Sequence, residues 1–143
     1  MAARIGVSAV AVAVALAGCG GAHHGTVDAT LRLRATRMSF TLIESNGPGT
    51  APGDSFIASS QIAGGGHQDA YCVISERVHT DLCTVTLLLP RGQLSGQGVF
   101  VDAPKLSGTI ALLSGTDAYS GAVGSLSTDG LTDRHESLTL RLG

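Results

Sequence analysis

The chain has no tryptophan, only 3% aromatic residues and a single lysine, Lys105, among 143 residues. So few rings exclude a base-stacking platform for single-stranded nucleic acid. A net charge of −2 excludes the basic face that phosphate neutralisation requires, so no nucleic-acid partner is expected. Charged residues make up 14% of the chain, which argues against coiled coils and long charge-patterned helices. No apolar run reaches the roughly 20 residues of a membrane-spanning helix; Ile5 to Leu16 is too short. No nucleophile elbow precedes a Ser-His-Asp set, and no phosphate-cradling glycine loop leads into a helix. Glycine, by contrast, is abundant, with 20 residues.

Arg4 followed by the apolar run to Leu16 reads as a targeting signal rather than as part of the fold. It ends in Leu16-Ala17-Gly18-Cys19, which resembles the lipobox of bacterial lipoproteins. That resemblance implies cleavage after residue 18 and diacylation of the Cys19 thiol. Two acyl chains anchor a protein durably, which implies an extracytoplasmic, membrane-attached chain. An ordinary secretory signal that happens to contain a cysteine is the alternative. Residues 19–30 then form a tether, with Gly20 to Gly25 flexible and His23 and His24 read as linker rather than as a metal pair.

Residues 31–143 read as strands. Leu31, Leu33 and Ala35 alternate with Arg32, Arg34 and Thr36; the phase then shifts so that Met38, Phe40 and Leu42 share a face, a sign of a bulge or a second strand. Further candidates are Ser55–Ile62, His67–Ile74, Leu82–Leu89, Gln93–Val101, Leu106–Leu113, Ser120–Thr128 and His135–Leu142. Glycine- and proline-rich turns separate them, as in a sandwich or an antiparallel barrel. With about eight strands, closure into a barrel removes the exposed edges of an open sheet. Cys72 and Cys83 flank a polar stretch, an arrangement expected of a hairpin stapled by a disulfide in an oxidising compartment. A metal pair or a reactive thiol is the other reading, without zinc-type Cys-His spacing to support it. No metal site and no cofactor are expected.

Four ordered stretches resemble the dirigent and allene oxide cyclase barrels. They are Pro52-Gly53-Asp54 with the strand after it, Ala70-Tyr71-Cys72, Gly92 to Gly98, and Ile110 to Gly124 with its Ser114-Gly115-Thr116-Asp117-Ala118-Tyr119. The resemblance implies an all-β, eight-stranded antiparallel barrel. Ser114 and Asp117 stand where glycines are usual and Val123 where arginine is common. Ser59 and Ser60 replace the acidic residues of plant dirigent proteins. Glu44-Ser45-Asn46 fits the cyclases' Glu-x-Asn element, whose carboxylate and amide help open an epoxide with an ordered water. By the same alignment Ser60 replaces an asparagine sharing that water, and Cys72 matches the cavity cysteine. The implied catalytic set is Glu44, Asn46 and Ser60.

A second cluster comes from alternation alone. His67, Asp69 and Tyr71 share one strand face, able to do acid–base work or simply to form the wet side of a strand. Asp54 reads as a turn former bonding nearby backbone rather than as an acid.

Two functions follow. One is a surface-anchored barrel that binds, and isomerises or cyclises, a small lipophilic ligand. The other is a non-catalytic envelope or protein-interaction barrel, favoured by the scarcity of aromatics. The sequence leaves open the ligand, the oligomeric state and which strand faces line the interior.

Overall fold

The computed structural model describes residues 29–45, 47, 50–75, 80–102, 106–130 and 134–143. The signal and lipobox through Cys19, the tether to Asp28, Asn46 and His79 lie outside the described residues.

Eight strands follow one another around a closed antiparallel barrel. They are β1 (Ala29–Ile43), β2 (Ser55–Ile62), β3 (His67–Ile74), β4 (Thr80–Leu89), β5 (Gly92–Asp102), β6 (Leu106–Gly115), β7 (Gly124–Gly130) and β8 (His135–Leu142). Closure rests on the length of β1. Its first half pairs with β8, from Ala29 opposite Leu142 to Thr36 opposite His135. Its second half pairs with β2, from Ala35 opposite Ile62 to Ile43 opposite Ser55. The phase shift read from the sequence is a bulge between Arg37 and Ser39 within this one continuous strand. The extra residue turns Arg37 and Phe40 toward the same side as Ser60 and Ala58, their partners in β2.

Period-two alternation sends one residue of each pair inward. Ile62, Val85, Leu87, Leu94, Ile110, Leu112, Leu126, Leu138 and Leu140 form a dry core. Close packing of the barrel demands glycine where β5 approaches β6. A Cβ on Gly96 would overlap the Ala111 carbonyl oxygen.

One expected strand is shorter than its sequence pattern. Ser120–Thr128 alternates, yet β7 begins at Gly124. A short 3-10 helix, Asp117–Tyr119, precedes it, and Asp117 (φ 53°) and Gly121 (φ 75°) turn the chain out of extended geometry. Pairing resumes at Gly124, where a Cβ would overlap the Arg141 carbonyl oxygen.

Cys72 and Cys83 face each other across β3 and β4 and are joined by a disulfide, with 4.1 Å between their Cα atoms. Both are buried on the inner side of the wall. The metal-pair and reactive-thiol readings of these cysteines are thereby set aside.

Candidate functional site

Polar side chains from several strands meet inside the apolar wall. Ser60 on β2 lies opposite Gln68 on β3, and both are buried. Thr128 on β7 is buried as well. Their side chains converge on Glu136 of β8. Ser60 Oγ donates to Glu136 Oε1 at 3.1 Å and Gln68 Nε2 donates to the same oxygen at 3.3 Å. Thr128 Oγ1 donates to Oε2 at 2.9 Å. A carboxylate taken partly out of water needs such donors, and here three strands supply them.

The convergence depends on a small residue. Ala35 of β1 sits between Glu136 on one side and Ile62 on the other. Its methyl group leaves room for the Glu136 side chain to cross β1 and reach Ser60 and Gln68.

Gln68 is not fully satisfied. Its amide nitrogen is used by Glu136, but its Oε1 is buried and accepts no hydrogen bond among the described residues. Buried side-chain polar atoms usually have a partner, so a lone acceptor in a barrel wall calls for explanation.

Along β1 from this cluster the wall becomes aromatic. Phe40 and Phe56 stack with ring centroids 5.1 Å apart at 30°. Phe56 is buried, but Phe40 keeps 52% of its surface exposed. The Arg37 guanidinium carbon lies 5.8 Å from the Phe40 ring centroid. An open depression of about 430 Å³ beside the bulge is lined by Arg37, Met38, Ser39, Phe40 and Arg134. It lies where β8 has ended and β1 continues alone beside β2.

The residues singled out from the sequence are distributed differently. Ser60 belongs to the interior cluster, bonded to Glu136 rather than placed beside Glu44. Ser60 pairs with Arg37, while Ile43, next to Glu44, pairs with Ser55. Those rungs are five β2 residues apart, roughly 17 Å along the strand. Glu44 is exposed at the end of β1. Ser45, the middle residue of its motif, is held by Asp54. The fully buried Asp54 carboxylate accepts from Ser45 N at 2.8 Å, Ser45 Oγ at 2.9 Å and Ala51 N at 2.9 Å. Asp54 is therefore an anchor for the β1–β2 connection, as its turn setting suggests.

His67 and Asp69 lie on the outer surface. His67 Nε2 is 3.0 Å from Asp69 Oδ1, and Ser59 Oγ donates to the same oxygen at 2.5 Å. Both are substantially exposed, and Tyr71 beside them is exposed too. Among the described residues no three His, Cys, Asp or Glu side chains gather as a metal site.

Glu136, Gln68 and Thr128 were not singled out by sequence reasoning, although a signal existed. Glu136 shares its phase with Leu138 and Leu140, Gln68 with Ala70 and Cys72, and Thr128 with Leu126. Polar residues in the inward phase of apolar strands are the pattern to look for.

No protein-family model matches the chain, and no curated protein matches it. Solved structures do. Pyocyanin demethylase superposes with a TM-score of 0.71 at 21% identity, over 80% of this chain and 100% of that one. A nonspecific heme-binding cyclase that catalyses a cycloaddition during neoabyssomicin biosynthesis superposes with a TM-score of 0.63 at 17% identity. That match covers 80% of this chain and 65% of the cyclase, just under two thirds of its length. At these identities the likeness is one of fold: the chain, like them, is a closed eight-stranded antiparallel barrel.

Proposed function

We propose that the chain is a small-molecule-binding barrel whose ligand lies against Phe40 and Phe56 and reaches Glu136. The observation that carries this reading is the Glu136 cluster, a carboxylate held by donors from three strands inside an apolar wall. Small barrels either fill with side chains or hold one small ligand, and a few placed polar groups then fix its orientation. Two similarly folded proteins are described by their action on small molecules, one as a demethylase of pyocyanin and one as a heme-binding cyclase.

Within this proposal Glu136 is the binding carboxylate, and Ser60 holds it in place. Glu44 with Asn46 remain the candidates for acid–base work in an isomerase or cyclase reaction, on the strength of the allene oxide cyclase resemblance. We further propose that Cys19 is lipidated and that the barrel is displayed on the extracytoplasmic side of a membrane. The lipobox-like Leu16 to Cys19 and the disulfide both support that address.

Native mass spectrometry of the full chain, produced in an oxidising compartment, tests the reading. A reproducible small-molecule adduct supports it. A chain that stays empty and ignores a panel of lipophiles contradicts it.

A second reading, an interaction module, has one observation in its favour. Ile57 and Tyr71 are cross-strand partners on the outer wall, as are Leu82 and Val99, and all four are exposed. Mass photometry of the wild type and Leu82→Glu tests it: a multimer that the substitution dissolves supports association through this wall.

A further inference from the structure

We infer that the ligand is a planar aromatic acid that carries an O–H or N–H donor at its inner end, an inference that rests on the small-molecule reading above. Three separate features specify its chemistry. The first is Gln68 Oε1, an acceptor without a partner on a side chain only 6% exposed. The hydrogen bond from Nε2 to Glu136 Oε1 orients the amide, so the oxygen is the atom left to present. The group that completes it has to be a donor, because two acceptors facing each other repel. A ligand reaches it by shifting the side chains now packed over the amide.

The second feature is the stacked pair Phe40 and Phe56. Phe40 shares its side of the wall with its β2 partner Ala58, which packs against the core, yet half its surface is uncovered. A flat ring system covers it with little loss of conformational freedom, and aromatic pairs prefer this offset packing.

The third feature is Arg37. Its guanidinium sits over Phe40, and among the described residues no carboxylate pairs with it. A half-buried guanidinium beside an aromatic face suits a carboxylate, which it binds through two parallel hydrogen bonds. Arg37 and Gln68 flank Ser60 on neighbouring strands, Arg37 on β1 and Gln68 on β3. The guanidinium leans toward Phe40, so anion and donor occupy opposite ends of the same flat molecule.

Three naphthalene probes test the inference on the purified full chain. A hydroxynaphthoate with its hydroxyl and carboxylate at opposite ends carries both groups, its methyl ether lacks the donor, and naphthol lacks the carboxylate. The chain has no tryptophan, so probe emission excited beyond the absorption of its two tyrosines is read against a dark protein background. The hydroxynaphthoate should bind, and each of the other two should bind about tenfold or more weakly, the range of a lost charge-assisted or buried hydrogen bond. Gln68→Met should weaken the hydroxynaphthoate more than the ether, closing the gap between them. Arg37→Met should weaken both carboxylates more than naphthol.

If the three probes bind wild-type chain equally, the inference is overturned while a small-molecule barrel stands. If none binds, the inference is overturned as well, and the mass spectrometry above decides separately whether a small-molecule barrel stands. The wild-type comparison decides the matter even where a variant fails to fold.

Discussion

Ala35 and Glu136 are direct cross-strand partners on β1 and β8, and the smallness of the first permits the reach of the second. Ala35 is 1% exposed, so any added atom must displace a neighbour. Ala35→Leu should therefore push the Glu136 side chain away from Ser60 and Gln68. Overpacking of this kind costs about 1–3 kcal/mol, which urea unfolding measures. Binding of the hydroxynaphthoate should fall with it, whereas Ala35→Gly should retain binding.

Glu136→Gln keeps the shape of the side chain but turns one acceptor oxygen into a donor. The Thr128 hydroxyl can turn to accept from the new amide nitrogen, so that bond survives without its charge, whereas the same nitrogen placed toward Ser60 and Gln68 meets Gln68 Nε2 donor to donor. Thermal unfolding should show a loss of about 1–3 kcal/mol, and ligand binding should weaken. Glu44→Gln, at an exposed strand end, should leave both unchanged while reducing turnover if the cyclase resemblance extends to chemistry. A Glu44→Gln chain that loses binding as severely as Glu136→Gln would contradict this division of roles.

Asp54→Ala removes the acceptor for Ser45 N, Ser45 Oγ and Ala51 N in a fully buried position. Leaving backbone donors unpaired there should cost about 3 kcal/mol. Hydrogen exchange should quicken at Ser45 and Ala51 and stay slow at Leu126 and Leu140. Equal loss of protection throughout would mean that Asp54 does more than hold this connection.

The Cys72–Cys83 bond closes a short hairpin, with 11 residues of sequence separation. In the chain-entropy view such a link contributes about 3 kcal/mol by restricting the unfolded chain. The double variant Cys72→Ala with Cys83→Ala should lose that amount in urea unfolding and still fold as a barrel by circular dichroism.

Much of the barrel is legible in the sequence because alternation and glycine-rich turns are local. β2, β3 and β8 run over the residues their patterns mark, and the phase change after Thr36 locates the bulge in β1. Ser120–Val123 misleads for a local reason too: it alternates, but positive φ at Asp117 and Gly121 keeps it out of the sheet. The site is harder to read. Ser60 and Glu136 are 76 residues apart, and their meeting depends on the register of three strands and on a small Ala35 between them. Alternation states that Glu136 points inward with Leu138 and Leu140. It does not state which side chains await it there.

The most direct measurement is the heteronuclear NMR spectrum of the Gln68 side-chain amide as the hydroxynaphthoate is added. That amide and the Phe40 and Phe56 rings should shift together, while the methyl groups of Leu126, Leu138 and Leu140 in the dry core stay in place. Shifts confined to the outer wall around Leu82, which is 58% exposed, and Val99 would contradict a ligand inside the barrel.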